Sequence, residues 1–399
     1  MGEIPVVALL GPRSVGKSTL LRSLAAAAGA DIIDLDDPAT RTAVADDPSL
    51  FAQGPRPVFI DEYQHVPDLL SAIKAELNRD GSSGQFVITG STRHEALPEM
   101  AEALTGRLYR LSVYPFSQGE IEGYREGLLE TLFKDPESAV ATTWSTTTRE
   151  EYIRRIVSGG LPLARQQTGA ARGRWFDNYV ELTLERDVRA LANIRQREAL
   201  PRLFGHLMAQ TGQVLNVAKV AQAANMSPST AEGYTKLLEA VYLVHRLPAW
   251  GTTLRARATA RPKLHAVDPG LAAHTMGLSD TKLSSHNPTH REQFGHLLET
   301  FVAGEIIKQA SWMDDIAAIG HWRTHDGVDV DVVVERRDGT VVAIEVKAGA
   351  VNNKHLSGLR TLRDALGDRF AAGAMLHMGK YPSRPTDRIV TLPVDRLWT

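Results

Sequence analysis

Short apolar runs alternate with helical stretches over about the first 115 residues of the chain. The runs predict five strands, at Val6–Leu10, Ile32–Leu35, Val58–Ile60, Phe86–Thr89 and Leu108–Val113. Between the first two, Lys17–Ala28 has a helical pattern, and Gly29 follows it as a C-terminal cap. Uninterrupted apolar strands that alternate with helices are typical of a mostly parallel α/β sheet.

The pattern changes twice after this region. Phe133–Arg149 is polar and rich in threonine, which predicts a linker. From 150 to about 250 the pattern is helical, and the last hundred residues or so return to mixed α and β, with a hairpin around Arg337-Asp338-Gly339. We therefore predict an α/β protein of three domains, at residues 1–132, 150–275 and 290–399.

The composition is that of an ordinary globular protein, with 399 residues, 43% hydrophobic and 23% charged. The absence of cysteine excludes disulfides, thiolate zinc sites, iron–sulfur clusters and cysteine nucleophiles. The N-terminus has no basic region, and no apolar stretch approaches the roughly 18 residues of a membrane helix. We therefore expect a cytoplasmic protein that does not contact a membrane. The net charge of −2 gives no chain-wide basic field for nucleic acid.

Residues 11–18 fit the motif G-x-x-x-x-G-K-[ST] at every fixed position, between a predicted strand and a predicted helix. In such a loop the backbone N–H groups surround the phosphates, Lys17 reaches the β- and γ-oxygens, and Ser18 is a Mg²⁺ ligand. The loop alone does not distinguish ATP from GTP. The predicted nucleotide-binding residues are Gly11, Pro12, Arg13, Ser14, Val15, Gly16, Lys17, Ser18 and Thr19.

Two acids follow the third predicted strand, and they complete a hydrolytic nucleotide site. Asp61 is expected to hold Mg²⁺ through water, and Glu62 to polarise the attacking water as the catalytic base. The next strand ends in hydroxyl residues, of which Thr89 and Ser91 are candidate sensors of the γ-phosphate, although a simple Ser/Thr turn is the alternative. Arg107 is a candidate catalytic arginine, in cis or in trans, or else a surface arginine.

At this point the sequence resembles a known family. The runs GPRSVGKSTLLRSLA, PVFIDEYQHVPDLLSAIK, FVITGSTRHEAL and LTGRLYRLSVYPFSQGE, with GGLPLA and YVELTLERDV further on, resemble a large prokaryotic family. Its members couple an AAA-type ATPase domain to a C-terminal domain of unknown function. The resemblance implies ATP as the nucleotide and leaves the biological process open. It also suggests that Glu185-Arg186-Asp187 forms an interdomain network of ion pairs.

The middle of the chain has helix-turn-helix spacing. Val217–Ala224 and Pro228–Ala240 flank a turn that ends at Ser227, a suitable N-cap. The second helix would be the DNA-reading element, but its exposed side chains include two acids, Glu232 and Glu239, against one lysine. We therefore favour an interdomain winged-helix module.

A basic strip follows this module. Arg255, Arg257, Arg261 and Lys263 have no acid among them and are the candidate DNA contacts of the middle domain. A solvated edge strand is the alternative explanation.

Across the predicted C-terminal hairpin, Asp331 is followed fourteen residues later by Glu345-x-Lys347. Strand alternation places Glu345 and Lys347 on one face, and Glu299 on an upstream helix offers a further acid. The layout is similar to that of PD-(D/E)xK nucleases, although Val330 stands where the name of that class has proline. That resemblance implies a divalent metal at the acids and a water-activating Lys347. The alternative is an ordinary hairpin with a surface ion pair.

The sequence supports two functions for the whole chain. One is an ATP- and Mg²⁺-dependent enzyme whose hydrolysis switches its attached domains in DNA processing. The other is a nucleotide-controlled signalling or scaffold protein whose C-terminal domain is catalytically inactive and binds a partner. His286 and His290, four apart in a polar loop, do not predict a zinc site. The oligomeric state, a homo-oligomer included, stays open.

Overall fold

The computed structural model describes residues 4–93, 104–140, 144–191, 198–251, 261–349 and 351–399. It contains a parallel sheet at the start, a helical middle with a small sheet, and a mixed sheet at the end. The predicted α/β fold class is therefore confirmed.

The first sheet consists of five parallel strands. They are β1 (Val6–Leu10), β2 (Ile32–Asp34), β3 (Val58–Asp61), β4 (Phe86–Gly90) and β5 (Leu108–Ser112), in the spatial order β2-β3-β4-β1-β5. All five were predicted, each to within one residue at its ends. Because the strands run the same way, the carboxyl ends of β1, β3 and β4 meet at one edge of the sheet.

Helices cover both faces of this sheet. They are α1 (Lys17–Ala28), α2 (Pro38–Asp46), α3 (Pro48–Ala52) and α4 (Asp68–Arg79). The bounds of α1 are those predicted, and Gly29 caps it in the left-handed conformation, with φ of 64°. Leu21 on α1 is buried on one face, and Ile73 on α4 is buried on the other. Each helix therefore buries its apolar side against the strands.

Seven helices and one π-helical turn make up the next segment. The helices are α5 (Gln118–Glu122), α6 (Leu128–Lys134), α7 (Arg149–Ser158), α8 (Pro162–Arg165), α9 (Gly169–Leu182), α10 (Arg189–Leu191) and α11 (Ala199–Met208). The π-helical turn, Thr183–Val188, joins α9 to α10 and carries Asp187. Such turns are rare and often lie at functional sites.

The predicted helix-turn-helix is present. Its helices are α12 (Val217–Ala223) and α13 (Pro228–Ala240), and the Ser227 side chain accepts a hydrogen bond from the backbone N–H of Thr230 as the N-cap. A three-stranded antiparallel sheet accompanies it, with β6 (Gln213–Val214), β7 (Val244–Leu247) and β8 (Lys263–Ala266) in the order β6-β8-β7. Since β8 is the central strand, a solvated edge strand at Lys263 is wrong.

The C-terminal part is built on a six-stranded mixed sheet, in the order β13-β14-β12-β11-β10-β9. Its strands are β9 (Ile316–Arg323), β10 (Asp329–Arg336), β11 (Val341–Lys347), β12 (Phe370–His377), β13 (Ser383–Thr386) and β14 (Ile389–Pro393). Its helices are α14 (Pro269–Thr275), α15 (Asp280–Ser284), α16 (Pro288–Ser311) and α17 (Ser357–Leu366). The predicted hairpin joins β10 to β11, and Gly339 has the positive φ, 86°, that its turn requires.

The predicted linker Phe133–Arg149 connects the first part to the helical middle, and its described residues are anchored at two places. It begins inside α6, whose Leu129 and Leu132 are fully buried against the C-terminal part. Further along, the Ser145 hydroxyl donates a hydrogen bond to the Asp395 carboxylate. The chain therefore reaches the C-terminal part before it enters the helical middle.

The buried apolar clusters are distributed unevenly among the three parts of the chain. The two clusters around the first sheet contain buried residues of that domain alone. One further cluster runs through the helical middle and onto the C-terminal sheet without a break, and it also takes in Val15 of the phosphate loop and Leu129 and Leu132 of α6. The helical middle and the C-terminal part are therefore packed together as one body, to which the first domain is attached.

Candidate functional site

The phosphate-loop motif lies at the carboxyl edge of the first sheet. β1 is buried throughout and ends at Leu10, and α1 begins at Lys17. Gly11 is required because a Cβ there would lie 2.0 Å from the carbonyl oxygen of Val113. Ser14 and Gly16 adopt positive φ, 61° and 98°. Left-handed residues just before a helix turn backbone N–H groups inward, which makes an anion-binding concavity.

Lys17 is buried within this loop, with 4% of its surface exposed. Its Nζ donates hydrogen bonds to the carbonyl oxygens of Gly11, at 3.0 Å, and Pro12, at 2.8 Å. Burial lowers the pKa of the Lys17 ammonium, with Glu62 and Asp61 opposing the shift. An ammonium held only by neutral carbonyls is poised to exchange them for phosphate oxygens.

Asp61 and Thr89 form a buried pair at the ends of β3 and β4. The Thr89 hydroxyl donates to Asp61 Oδ1 and accepts from the backbone N–H of Glu62, at 3.0 Å. Both side chains are at most 6% exposed. The role of Thr89 as a sensor of the γ-phosphate stays a prediction; in this structure its hydroxyl holds the Asp61 carboxylate and the backbone of Glu62.

Glu62 is held by two neighbours. Its Oε2 accepts from the Ser91 hydroxyl, at 3.1 Å, and from the Gln64 side-chain amide, which also donates to Ser91, at 3.1 Å. Glu62 itself has a left-handed backbone, with φ of 54°, which is uncommon for this residue type. Gln64 was not singled out from the sequence, since no motif position specifies it; only its place two residues after Glu62 could have suggested it.

The loop and β3 offer the donors that Mg²⁺ prefers. Ser18 follows Lys17 in the first turn of α1, and Asp61 ends the buried strand β3. Hydroxyl and carboxylate oxygens are suitable magnesium ligands, usually completed by water and substrate phosphates. Ser18 and Asp61 therefore fit the predicted ion.

Arg13 ties the phosphate loop to the helical middle. Its guanidinium donates to both carboxylate oxygens of Asp187 in the π-helical turn, at 2.5 and 2.7 Å. A second pair links Arg186 to Asp36, at 3.3 Å, and is about half exposed on both sides. The predicted interdomain network of Glu185-Arg186-Asp187 is confirmed for these two residues.

Arg107 lies far from the phosphate loop of its own chain. β5 runs parallel to β1 and pairs Leu108 with Val6, so Arg107 stands at the amino edge of the sheet, opposite the loop. Its guanidinium donates to Asn78 Oδ1, at 2.8 Å. A catalytic role in cis is therefore wrong, and a role in trans stays a prediction.

The segment after Ser91 contacts the helix-turn-helix. The backbone N–H of Arg93 donates to the Ala240 carbonyl, at 2.8 Å, and its guanidinium lies 5.2 Å from the centroid of the Tyr242 ring. Arg93 borders a cavity of about 360 Å³ beside the start of the phosphate loop. The wall includes Gly11, Pro12, Val113, Tyr242, His265 and Lys308. The first domain, the three-stranded sheet and α16 all contribute to it.

Two of the predicted acids of the C-terminal domain, Asp331 and Glu299, lie close together, but a lysine lies between them where a metal ion was expected. Lys263 Nζ lies 2.7 Å from Asp331 Oδ1 and 2.8 Å from Glu299 Oε1. Asp331 Oδ2 accepts from the backbone N–H of Val346, at 2.9 Å. Burial and the charge of Asp331 raise the pKa of Glu299 to about 8, against the opposing effect of Lys263.

Glu345 and Lys347 form the second part of this cluster. Lys347 Nζ lies 2.6 Å from Glu345 Oε1, and Glu345 is buried, with 6% of its side chain exposed. Burial, with Asp331 nearby, raises the pKa of Glu345 well above its ordinary value. The ion pair of the alternative interpretation is therefore present, but its carboxylate is buried and does not lie on the surface. Among the described residues, no three His, Cys, Asp or Glu side chains are arranged to hold a metal ion.

The basic strip is not available as a unit for nucleic acid. Arg255 and Arg257 lie outside the described residues, and Arg261 is exposed. Lys263 is 3% exposed and ion-paired, so it cannot contact a phosphate backbone, which corrects that expectation. The acids of α13 are occupied too, because Arg246 pairs with Glu232 and Glu239, both at 2.7 Å.

The fold and the loop define the class of protein: an AAA-type P-loop ATPase domain followed by a C-terminal domain of unknown function. Residues 3–122 match the family described as an AAA domain. Residues 149–282 and 294–397 match two families of unknown function, DUF8612 and DUF4143. A domain of the first kind binds ATP. The match to the AAA domain therefore supports ATP binding for the first domain, and the other two matches name no activity.

Three relatives of this chain are described as uncharacterized proteins. Uncharacterized proteins of Mycobacterium tuberculosis and Mycobacterium bovis are each 27% identical over 99% of this chain and 81% of their own length. An uncharacterized protein of Haemophilus influenzae is 21% identical over 74% of this chain and 66% of its own. Among solved structures, the RuvB Holliday junction branch migration motor of Thermotoga maritima aligns with 16% identity and a TM-score of 0.28, over 61% of this chain and 82% of its own. In the described part of the chain, no helix is both long and apolar enough to cross a membrane.

Proposed function

We propose that this chain binds ATP with Mg²⁺, hydrolyses it, and uses the cycle to change the position of the first domain against the other two. The observation that carries the proposal is Glu62, a carboxylate held in place by Ser91 and Gln64 beside a buried lysine and aspartate. A protein that only stored nucleotide would not need an oriented base at that point.

Each residue has a defined part in this reaction. Lys17 leaves the carbonyls of its own loop for the β- and γ-phosphate oxygens, together with the backbone N–H groups of residues 11–19. Ser18 and Asp61 are the residues that would hold Mg²⁺, which supplies positive charge at the phosphates when bound. Glu62 takes the proton of the attacking water, and Thr89 and Ser91 keep the two acids aligned. Arg107 acts in trans, from a second copy of the chain.

Two contacts support a coupling of this site to the remaining domains, which we place at residues 150–275 and 290–399, after an ATPase domain at 1–132. One is the Arg13–Asp187 pair, which starts inside the phosphate loop itself. The other runs from β4 through Arg93 to Ala240, at the end of the helix-turn-helix. A movement of either the loop or β4 on hydrolysis is therefore transmitted to the middle of the chain.

The test is steady-state ATP hydrolysis with matched variants. Glu62→Gln should retain ATP binding and lose turnover by about 10²- to 10⁴-fold, because it removes the base alone. Lys17→Ala should lose both, and Lys74→Ala, which removes an exposed lysine of the same domain, should lose neither. Turnover of Glu62→Gln equal to that of the wild type would contradict the assignment.

Of the two downstream roles, we favour the nucleotide-controlled partner-binding protein over the DNA-processing enzyme. The supporting observation is that the carboxylates of the C-terminal domain are already paired with Lys263 and Lys347. ATP turnover measured with single-stranded, duplex and branched DNA across a salt series separates the two. DNA stimulation that weakens with salt would favour DNA processing, and turnover indifferent to every DNA supports partner binding.

A further inference from the structure

Lys263 carries a charge at a buried position, where an unpaired charge is strongly destabilising. It opens β8 at the centre of the three-stranded sheet, and its side chain is 4% exposed. It crosses from that sheet to two elements of the C-terminal domain, since Asp331 belongs to β10 and Glu299 to α16. An isolated buried ammonium would lose its proton, so its carboxylate partners must account for its presence.

The carboxylates around Lys263 are largely buried, and the one nearest to it is held in a fixed orientation. Asp331 accepts from Lys263 on one oxygen and from the Val346 N–H on the other, so its orientation is fixed. An irregularity in the pairing of β10 with β9 falls between Val330 and Val333, the stretch that contains Asp331. Glu345 Oε2 is buried and has no hydrogen-bond partner among the described residues.

Two ammonium groups, those of Lys263 and Lys347, face three carboxyls in this cluster, so loss of Lys263 leaves two carboxyls without a cation in contact. Burial alone would lower the pKa of Lys263, but Asp331 and Glu299 hold it above the ordinary lysine range. Without that ammonium, Asp331 and Glu299 would face each other without a cation in contact, since Lys347 is engaged by Glu345. Close carboxylates without a counterion either take up protons or bind a cation.

We propose that the ammonium of Lys263 is the resident cation of the cluster formed by Asp331, Glu299 and Glu345, and that it excludes a divalent metal ion from it. The residues present thus do not fit the metal that the nuclease-like layout implies, because the position shared by Asp331 and Glu299 is filled. The amine comes from another domain, so the docking of the three-stranded sheet determines the charge of the cluster. No residue of the phosphate loop takes part, and the inference does not depend on ATP hydrolysis.

The experiment counts Mn²⁺ bound to the full chain without nucleotide, by electron paramagnetic resonance of the free ion. Lys263→Met keeps the length and apolar stem of the side chain and removes the charge, so it should bind about one more Mn²⁺ per chain than the wild type. Lys263→Met with Asp331→Asn should lose that ion. Lys263→Arg, which keeps the charge, should bind as the wild type does.

Lys308→Met is the matched control for loss of a buried, ion-paired lysine. Lys308 lies on α16, pairs with Glu305 at 2.7 Å, and has a single carboxylate as its partner. Its loss should therefore create no ion site. Thermal melting with and without Mn²⁺ gives a second readout, since an ion that binds only the folded chain raises its melting temperature.

Two results would overturn the proposal. The first is equal Mn²⁺ binding by the wild type and a folded Lys263→Met. The second is a Mn²⁺ ion in the wild type that Asp331→Asn removes, since the site would then hold metal with the lysine present. Should Lys263→Met not fold, Lys263→Gln retains hydrogen-bond donors for both carboxylates without the charge, and the same two results decide.

Discussion

Removal of the Arg13–Asp187 pair should loosen the π-helical turn without changing the phosphate loop sequence elsewhere. Arg13→Met keeps most of the apolar stem, and Asp187→Asn keeps the shape of the acceptor. Both single variants and the double variant form a cycle that isolates the pairwise term. The Arg186–Asp36 pair, one residue away along the chain, is the control, because it is exposed and longer.

The size of the effect follows from geometry and burial. The pair has two hydrogen bonds, at 2.5 and 2.7 Å, and the side chain of Asp187 is 6% exposed while that of Arg13 is 22% exposed. A hydrogen bond to a charged group contributes about 1.5–3 kcal/mol net. Because one partner is partly solvated, we assign that range to the pair as a whole. It corresponds to about a 10- to 150-fold change in the local opening equilibrium.

Native-state hydrogen exchange of the amides in Thr183–Val188 measures that opening directly. The exchange rate there should rise about 10- to 150-fold in Arg13→Met and in Asp187→Asn. In the double variant it should be no higher than in the faster-exchanging single variant. Arg186→Met should change exchange by about twofold or less, as exposed pairs do. Equal effects of Arg13→Met and Arg186→Met, or simple additivity in the double variant, would refute the assignment of Arg13 as the link.

Two further predictions concern buried acids. Thr89→Val removes the hydroxyl that orients Asp61 and accepts from the Glu62 N–H, so ATP turnover should fall about 10- to 100-fold. Thr89→Ser keeps the hydroxyl and should keep the turnover. Turnover of Thr89→Val within twofold of the wild type would contradict this role. The pKa of Glu299 is raised to about 8, so the folded state keeps a proton that the unfolded carboxyl releases above about 4.5. Its contribution to stability is complete below that pH and is lost as the pH rises through 8. The melting temperature should therefore fall over this range less steeply in Glu299→Gln than in the wild type, and identical slopes would count against the shift.

Sequence reasoning was reliable where a local rule decides the structure. The phosphate loop is one example, because its glycines, lysine and serine stand at fixed spacings between an apolar strand and a helix. The helix-turn-helix is another, since Ser227 and Pro228 are strong start signals for α13.

Contacts between distant segments could not be predicted in the same way. Lys263 is one basic residue among four in the sequence, and nothing near it in the chain indicates that its partners are 36 and 68 residues away. For a related reason the sequence left open whether Arg107 acts in cis or in trans: its position just before a strand does not say which edge of the sheet it occupies until the strand direction is known. Gln64 acts only through the position of β4 beside β3.

The way the domains are joined indicates where a nucleotide-driven movement occurs. The helical middle and the C-terminal sheet share one apolar cluster. Their separation would expose apolar surface to water, at a free-energy cost of about 25 cal/mol per Å². The sheet of the first domain keeps its own clusters, although Val15 of the phosphate loop and the buried leucines of α6 join the shared one. Three ion pairs also connect this domain to the rest, at Arg13–Asp187, Arg186–Asp36 and Arg93–Glu239. When an ion pair separates, water solvates both charged groups. The free energy needed to open an ion-paired interface is therefore small compared with that needed to open an apolar one. We therefore expect the first domain to move against the other two, while Lys263 stays seated among its carboxylates.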